Sequence, residues 1–128
     1  MITLDQQVIK FIINMSSRQT PTALENYLNN ALGPQLEGKI IGTLASQFTD
    51  FELDTKLKIV QRNATEYTLY PKFALSGTTD LSQPDLENEI NRLYDELKII
   101  VVDSLPPFTT IQNYHIHRFN EANQPDEV

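Results

Sequence analysis

The chain has 128 residues, of which 40% are hydrophobic and 21% are charged, and it contains no cysteine. This length predicts one domain, and the lack of cysteine excludes disulfides, thiolate metal ligands and cysteine nucleophiles within it. The formal net charge is −7, and the excess lies wholly in residues 49–128, which carry seven basic and fourteen acidic side chains. A broad basic surface for nucleic acid is therefore not expected.

Residues 1–48 predict three helices. The first begins at a capping-box pattern, Thr3-Leu4-Asp5-Gln6, and its apolar residues recur at helical spacing. The second is expected to begin at Thr20 or Thr22 and to end at Gly33-Pro34. The apolar face of the third consists of Leu36, Ile40, Ile41, Leu44 and Phe48. Small residues at 38, 42 and 46 on this helix favour a close crossing with a neighbouring backbone.

From Phe51 onward the hydrophobic period changes to two, which predicts a strand with one polar face. Residues 67–75 repeat this alternation after a polar turn at residues 62–66, so the two strands are expected to pair as an antiparallel hairpin. Pro71 interrupts the second strand. Because proline cannot donate a hydrogen bond to a neighbouring strand, this strand is predicted to lie at a sheet edge or to be bulged.

The most regular pattern in the chain predicts a long amphipathic helix from Ser82 to Leu105. Ser82 can cap its first turn, Pro84 lies where no amide is needed, and Pro106 and Pro107 end it. Its apolar residues are Leu86, Ile90, Leu93, Tyr94, Leu97, Ile100 and Val101. The β-branched run at residues 99–102 leaves open a second interpretation, in which this part is a buried strand.

The segment Thr109 to Phe119 predicts a last strand, and residues 121–128 an acidic flexible tail. The predicted architecture is a single α+β domain at residues 1–120. Its first half, residues 1–48, is helical, and its second half, residues 49–120, is a β-β-α-β unit. The long helix is expected to pack on a small three-stranded antiparallel sheet.

Chemistry is sparse in this sequence. His115 and His117 share one face of the last strand and could bind a metal if a carboxylate such as Asp103 or Glu121 completed the site. The alternative is that both histidines face solvent or a partner. No Gly-x-Ser-x-Gly elbow and no phosphate-binding glycine loop is present, so no catalytic residue, metal ligand or cofactor is assigned.

Five side chains are predicted to contact a partner: Tyr70, Lys72, Phe108, His115 and His117. Tyr70 occupies a polar-face position of its strand and Phe108 follows two prolines, and aromatic residues favour interfaces. An alternative for Tyr70 is burial beneath the N-terminal helices.

The first functional hypothesis is a non-enzymatic assembly or interaction subunit that forms a homo- or hetero-oligomer through its hairpin edge. The predicted outline is similar to that of small ring-forming completion or connector proteins of phage tails, and this resemblance implies a virion component. A second hypothesis is an acidic inhibitor or antitoxin-like protein that uses Glu87, Asp95 and Glu96. A third is a small metal-dependent hydrolase that uses His115 and His117.

No secretory signal and no transmembrane segment is recognisable, so a cytoplasmic or virion location is expected. The expected partners are other protein subunits. Nucleic acid, membrane and a small-molecule substrate are not expected.

Overall fold

The computed structural model describes residues 1–117, so the predicted tail at 121–128 lies outside the described residues. Six strands form one sheet: β1 (Ile2–Ser17), β2 (Thr49–Lys56), β3 (Ile59–Gln61), β4 (Glu66–Leu69), β5 (Lys72–Thr79) and β6 (Thr109–His117). The α-helices are α1 (Pro21–Tyr27), α2 (Gly33–Leu44) and α3 (Gln83–Asp103).

The prediction of a first helix is wrong, because residues 2–17 form the long central strand β1. Its odd-numbered side chains from Ile9 to Met15 are buried against the helices, and Ile12 on its other face is only 6% exposed. A strand buried on both faces shows no clean alternation, and its run of apolar residues imitates helical spacing. The β-branched residues at positions 8, 9, 12 and 13 fit such a strand.

The predicted second and third helices are one continuous helical segment at residues 21–47. A π-helical turn, Leu28–Leu32, joins α1 to α2, and a 3₁₀ turn, Ala45–Gln47, follows α2. The predicted break at Gly33-Pro34 does not occur. Pro34 has no amide to donate, and the Gly33 amide donates to the Leu28 carbonyl five residues earlier. The π turn therefore accommodates the proline without ending the helix.

The strands β2 and β3 lie along one line, and so do β4 and β5. Lys56 lies opposite Lys72 and Ile59 lies opposite Leu69, so the same antiparallel register continues across both interruptions. The hairpin prediction is confirmed, but the edge prediction for Pro71 is wrong, since the β4–β5 line runs between β2–β3 and β1. Pro71 lies at the interruption itself, where its carbonyl accepts the Phe11 amide at 2.9 Å.

The long helix is confirmed as α3, with the Ser82 hydroxyl accepting the Asp85 amide at its start. Residues 99–102 are helical, so the strand alternative is wrong. Leu93 and Leu97 are fully buried against the sheet. The Tyr27 hydroxyl lies 3.3 Å from the Ser104 hydroxyl, and burial raises its pKa above the usual 10.0 against the opposing effect of that hydrogen bond.

With the interrupted strands merged, the element order is β-α-β-β-α-β, which is the split βαβ arrangement of ferredoxin-like domains. The two helical segments, residues 21–47 and α3, pack on the same face of the antiparallel sheet. This corrects the predicted architecture of three N-terminal helices on a three-stranded sheet. It also removes the predicted outline on which the resemblance to phage connector proteins was based. Within residues 1–117 no helix is long and apolar enough to cross a membrane.

Candidate functional site

The sheet face turned away from the helices, called the outer face below, is polar. Its side chains alternate with those of the core along each strand. They include Lys10, Ile12, Asn14, Lys56, Lys58, Thr68, Tyr70, Lys72, Asn113, His115 and His117. Four of the five predicted partner-contact residues, namely Tyr70, Lys72, His115 and His117, therefore lie on one surface.

Three lysines and a histidine form a row across this face. Lys56 pairs with Lys72, Lys72 pairs with Lys10, and Lys10 pairs with His117, each directly opposite the next on a neighbouring strand. Directly opposed residues in a sheet have Cβ atoms about 4.5–5.5 Å apart, and like charges in such pairs are destabilising. This set is called the lysine row. Its repeated positive charge distinguishes it from the rest of the outer face, on which Glu52, Asp54 and Glu66 also lie.

The β1 end of the lysine row is buried. Lys10 is 4% exposed and His117 is 7% exposed. The Nδ1 atom of His117 is inaccessible and has no hydrogen-bond partner among residues 1–117. An unsatisfied buried polar atom costs about 1–3 kcal/mol, and in native proteins it usually indicates a missing partner. The ring of His115 lies edge-on to that of His117 at a centroid distance of 4.5 Å.

A chain of side-chain hydrogen bonds crosses the sheet beside the lysine row. Arg62 donates to the Thr68 hydroxyl at 2.9 Å, and Thr68 donates to Asn14 Oδ1 at 2.7 Å. Asn14 then donates to Asn113 Oδ1 at 2.6 Å. The chain, called the polar ladder below, joins all four strand lines. It holds the outer face in one arrangement, which lowers the entropy cost of binding a partner.

Tyr70 is on the outer face and not beneath the helices. Lys58 Nζ lies 5.3 Å from the centroid of its ring, and Arg62 donates to its hydroxyl at 2.8 Å. The side chain is 3% exposed, so Tyr70 supports the basic groups around it and presents little of its own surface. The sequence does not separate these alternatives. The alternation of side chains along a strand shows on which face of the sheet Tyr70 lies, but not how far neighbouring side chains cover it.

Phe108 lies apart from this surface. It occupies the turn before β6 with a φ of 59°, is 75% exposed, and accepts a hydrogen bond from the Arg18 amide. Its neighbour Thr109 pairs with Ser17, whereas His117 at the other end of β6 pairs with Lys10. At about 3.3 Å per residue, the length of β6 separates Phe108 from the lysine row.

Charge is unevenly divided between the two sides of the molecule. Five of the nine lysines and arginines within residues 1–117 belong to the outer face: Lys10, Lys56, Lys58, Arg62 and Lys72. Three acidic residues, Glu52, Asp54 and Glu66, lie on the same face by strand register. The helix α3 carries six acidic and two basic residues. The sequence does not show this division, because Lys10 lies in a segment with helical spacing and because strand register is needed to align residues 10, 56 and 72.

The alternative of a metal site at His115 and His117 gains no third ligand from residues 1–117, in which no group of three histidine or acidic residues converges. Asp103 belongs to α3, on the other side of the sheet from His115 and His117. Glu121 lies outside the described residues.

A pocket of about 430 Å³ lies between the 3₁₀ turn and the end of β5. Its polar lining includes Gln47, Thr49, Thr78, Thr79 and Asp80. The Thr79 hydroxyl already donates to the Gln47 carbonyl at 2.7 Å. Asp80 is the only charged residue of the lining, so this pocket offers little chemistry compared with the lysine row.

No protein-family model and no curated protein matches the chain. Among solved structures, a phage SAM lyase in complex with S-methyl-5'-thioadenosine aligns with 92% of this chain and 95% of its own chain. The identity is 13% and the TM-score is 0.31. A likeness of this strength does not assign an activity.

Proposed function

We propose that the protein is a non-enzymatic interaction subunit that binds an acidic surface of another protein subunit through the outer face of its sheet. The observation that carries this proposal is the lysine row, in which four basic side chains face one another across four neighbouring strands. Directly opposed like charges destabilise a pair of strands. Carboxylates of a partner would convert this repulsion into attraction and orient the encounter between the two proteins.

The outer face suits this role better than the hairpin edge. The exposed edge strand β2 carries Glu52, Asp54 and Lys56 at alternate positions. Charged side chains along an edge discourage pairing with the strand of another chain. The outer face, by contrast, is already ordered by the polar ladder. Contact through side chains of the face is therefore proposed in place of the edge pairing expected from the sequence.

The second candidate, an acidic inhibitor, is favoured by the charge of α3. Glu87 and Asp95 are exposed on this helix. The Glu96 carboxylate forms a salt bridge with Lys39 Nζ at 3.3 Å. A partner with a basic site would contact this side of the molecule. Neutralising Glu87 and Asp95 would then weaken binding, whereas changes in the lysine row would not.

The proposal is tested with a fluorescent peptide of eight glutamates, titrated with the full chain at low ionic strength. The double variant Lys56→Gln/Lys72→Gln should bind about fivefold more weakly, since two exposed ion pairs contribute about 1 kcal/mol together. The matched control is Lys39→Gln/Lys98→Gln, which removes the same charge from the helical side and should bind within about twofold of the original chain. Binding should weaken as salt is added.

Equal weakening in both double variants would contradict the proposal, because binding would then depend on the net charge of the protein and not on the lysine row. Absence of binding to the peptide would also contradict it. A single-stranded oligonucleotide of eight phosphates serves as a competitor, and clearly tighter binding of the oligonucleotide would replace the protein partner with a nucleic acid.

A further inference from the structure

We infer that the free edge of β6 is a dimer interface, along which residues 113–117 pair antiparallel with the same residues of a second copy of the chain. The inference goes beyond the proposed function, because it concerns an edge of the sheet and not its outer face. The two copies would be joined chiefly by backbone hydrogen bonds between their strands.

The first argument is that β6 is an edge strand without the usual protection. It pairs with β1 alone among residues 1–117, so the backbone donors and acceptors on its other side meet no strand of this part of the chain. Natural proteins block such edges with charged side chains and prolines. The nine residues Thr109–His117 include no lysine, arginine, aspartate, glutamate or proline. The edge therefore remains competent to pair with another strand.

The opposite edge of the same sheet shows the contrast. The strand β2 carries four charged side chains in eight residues, namely Asp50, Glu52, Asp54 and Lys56. Across the whole chain 21% of residues are charged, so β2 is rich in charge for this protein and β6 is devoid of it. Pairing with another strand is thus opposed at β2 and unopposed at β6.

The regular part of this edge suits pairing with its own copy. The register with β1 shifts between Asn14 and Met15, which leaves Gln112 as a bulge and residues 113–117 as an uninterrupted strand. Antiparallel pairing of this segment with itself is symmetric about His115 and brings no lysine, arginine or carboxylate opposite another. Dimers with two-fold symmetry use one surface of both subunits in this way. The axis would stand perpendicular to the sheet, so both outer faces would lie on the same side of one continuous sheet.

Phe108 gives a second argument at the start of the same strand. It directly precedes β6, is 75% exposed and has a φ of 59°, a backbone conformation that bulky residues rarely adopt. Its carbonyl accepts the Arg18 amide at 3.1 Å, and the Pro107 carbonyl accepts the Gln19 side-chain amide at 2.8 Å. The fold therefore enforces this turn and displays an aromatic ring beside the free edge. Exposed aromatic side chains of this kind anchor interfaces.

The test is sedimentation equilibrium of the full chain over a range of concentrations, which should show monomers in equilibrium with dimers. His115→Glu places two carboxylates opposite each other at the two-fold axis and should weaken dimerisation about fivefold. Its matched control is His115→Gln, which has the shape of the glutamate without its charge and should dimerise within about twofold of the original chain. The side chain of His115 is exposed, so neither change disturbs the core.

A second pair of variants tests Phe108. Phe108→Asn removes the ring while keeping the turn, because asparagine tolerates a positive φ, and it should weaken dimerisation about tenfold. The control is Ile99→Asn, which removes an apolar side chain that is 58% exposed on α3. This control should stay within about twofold of the original chain.

A protein that stays monomeric up to about 1 mM would overturn the inference. Equal dimerisation of His115→Glu and His115→Gln would also overturn it, because the dimer would then use another surface. Each copy carries a net charge of −7, so added salt should screen the repulsion between copies and strengthen dimerisation. Dimerisation that weakens with salt would mean that ion pairs hold the copies together, which this edge does not offer.

Failure here is distinguishable from failure of the proposed function. A monomer that binds the glutamate peptide would retain the function and remove the dimer interface. A dimer that does not bind the peptide would do the reverse.

Discussion

Among single residues, Gly33 is the one whose side chain the packing most clearly forbids. It lies at the π turn between α1 and α2, and a Cβ atom there would lie 2.6 Å from a methyl of Leu57 and 2.8 Å from the Leu28 carbonyl oxygen. The second atom belongs to the backbone and cannot rotate away. The interruption between β2 and β3 therefore packs against this glycine.

We expect Gly33→Ala to lower the free energy of unfolding by about 1–3 kcal/mol, which is the usual cost of overpacking. Urea denaturation measures this change. The control is Gly38→Ala on α2, where a Cβ atom would meet nothing within 4 Å. There the higher helix propensity of alanine should stabilise the protein by about 0.5–1 kcal/mol. A neutral or stabilising Gly33→Ala would contradict the close packing of Leu57 on this turn.

The glycines also show how far residue types could be interpreted from sequence. The line of small residues Gly38, Gly42 and Ser46 suggested a close helix crossing, but all three are exposed. Among the helical glycines Gly33, Gly38 and Gly42, Gly33, which suggests only a helix end, is the one with a close neighbour. Spacing shows which residues share a helix face, whereas the contact made by that face depends on strands far away in the sequence.

Among whole elements, those with one buried face and one exposed face are predicted from the sequence, and the strand covered on both faces is not. The helix α3 has one buried face and one wet face, and its period, its cap at Ser82 and its end before Pro106 were all predicted. The strand β1 is central and covered on much of both faces, so its alternation is obscured and it was predicted as a helix. The strands β2 and β5 retain a polar face and were recognised. Their positions in the sheet depend on β1, which the sequence does not predict as a strand.

The polar ladder connects the four strand lines through side-chain hydrogen bonds, and Thr68 bonds to both Arg62 and Asn14 within it. We expect Thr68→Val to lower the free energy of unfolding by about 1–2 kcal/mol, because Asn14 Oδ1 loses its donor and Arg62 loses an acceptor. The shape of the residue is nearly unchanged, so packing contributes little to the effect. Thermal and urea denaturation measure the loss.

Thr3→Val is the matched control for this prediction. It removes an exposed hydroxyl bonded only to the Thr78 hydroxyl at 3.2 Å, and surface changes of this kind stay within about 0.5 kcal/mol. If both variants lose the same stability, the effect belongs to threonine replacement in strands and not to the ladder.

For the molecule as a whole, net charge follows from composition, whereas the placement of charge depends on the fold. Lys10, Lys56 and Lys72 are far apart in the chain, and only the antiparallel register of three strand lines aligns them. The wrong prediction for β1 therefore hides the alignment of the candidate site, although Lys72 and both histidines are predicted contact residues from the patterns of their own strands. Much of the acidic excess predicted for residues 49–128 lies on α3, whereas the outer face carries more basic than acidic side chains.

If the lysine row serves binding and not folding, the free protein should be more stable without it. We expect Lys72→Gln to raise the free energy of unfolding by about 0.5 kcal/mol at low ionic strength, because it removes a positive charge directly opposite Lys56 and Lys10 in the strand register. In 1 M NaCl the Debye length falls to about 3 Å, so the gain should largely disappear. Lys98→Gln makes the same change in net charge on α3 and should show no gain. A less stable Lys72→Gln at both salt concentrations would mean that other groups of the protein already neutralise the lysine row. The row would then have no excess positive charge for an acidic partner to bind, which would contradict the proposed function.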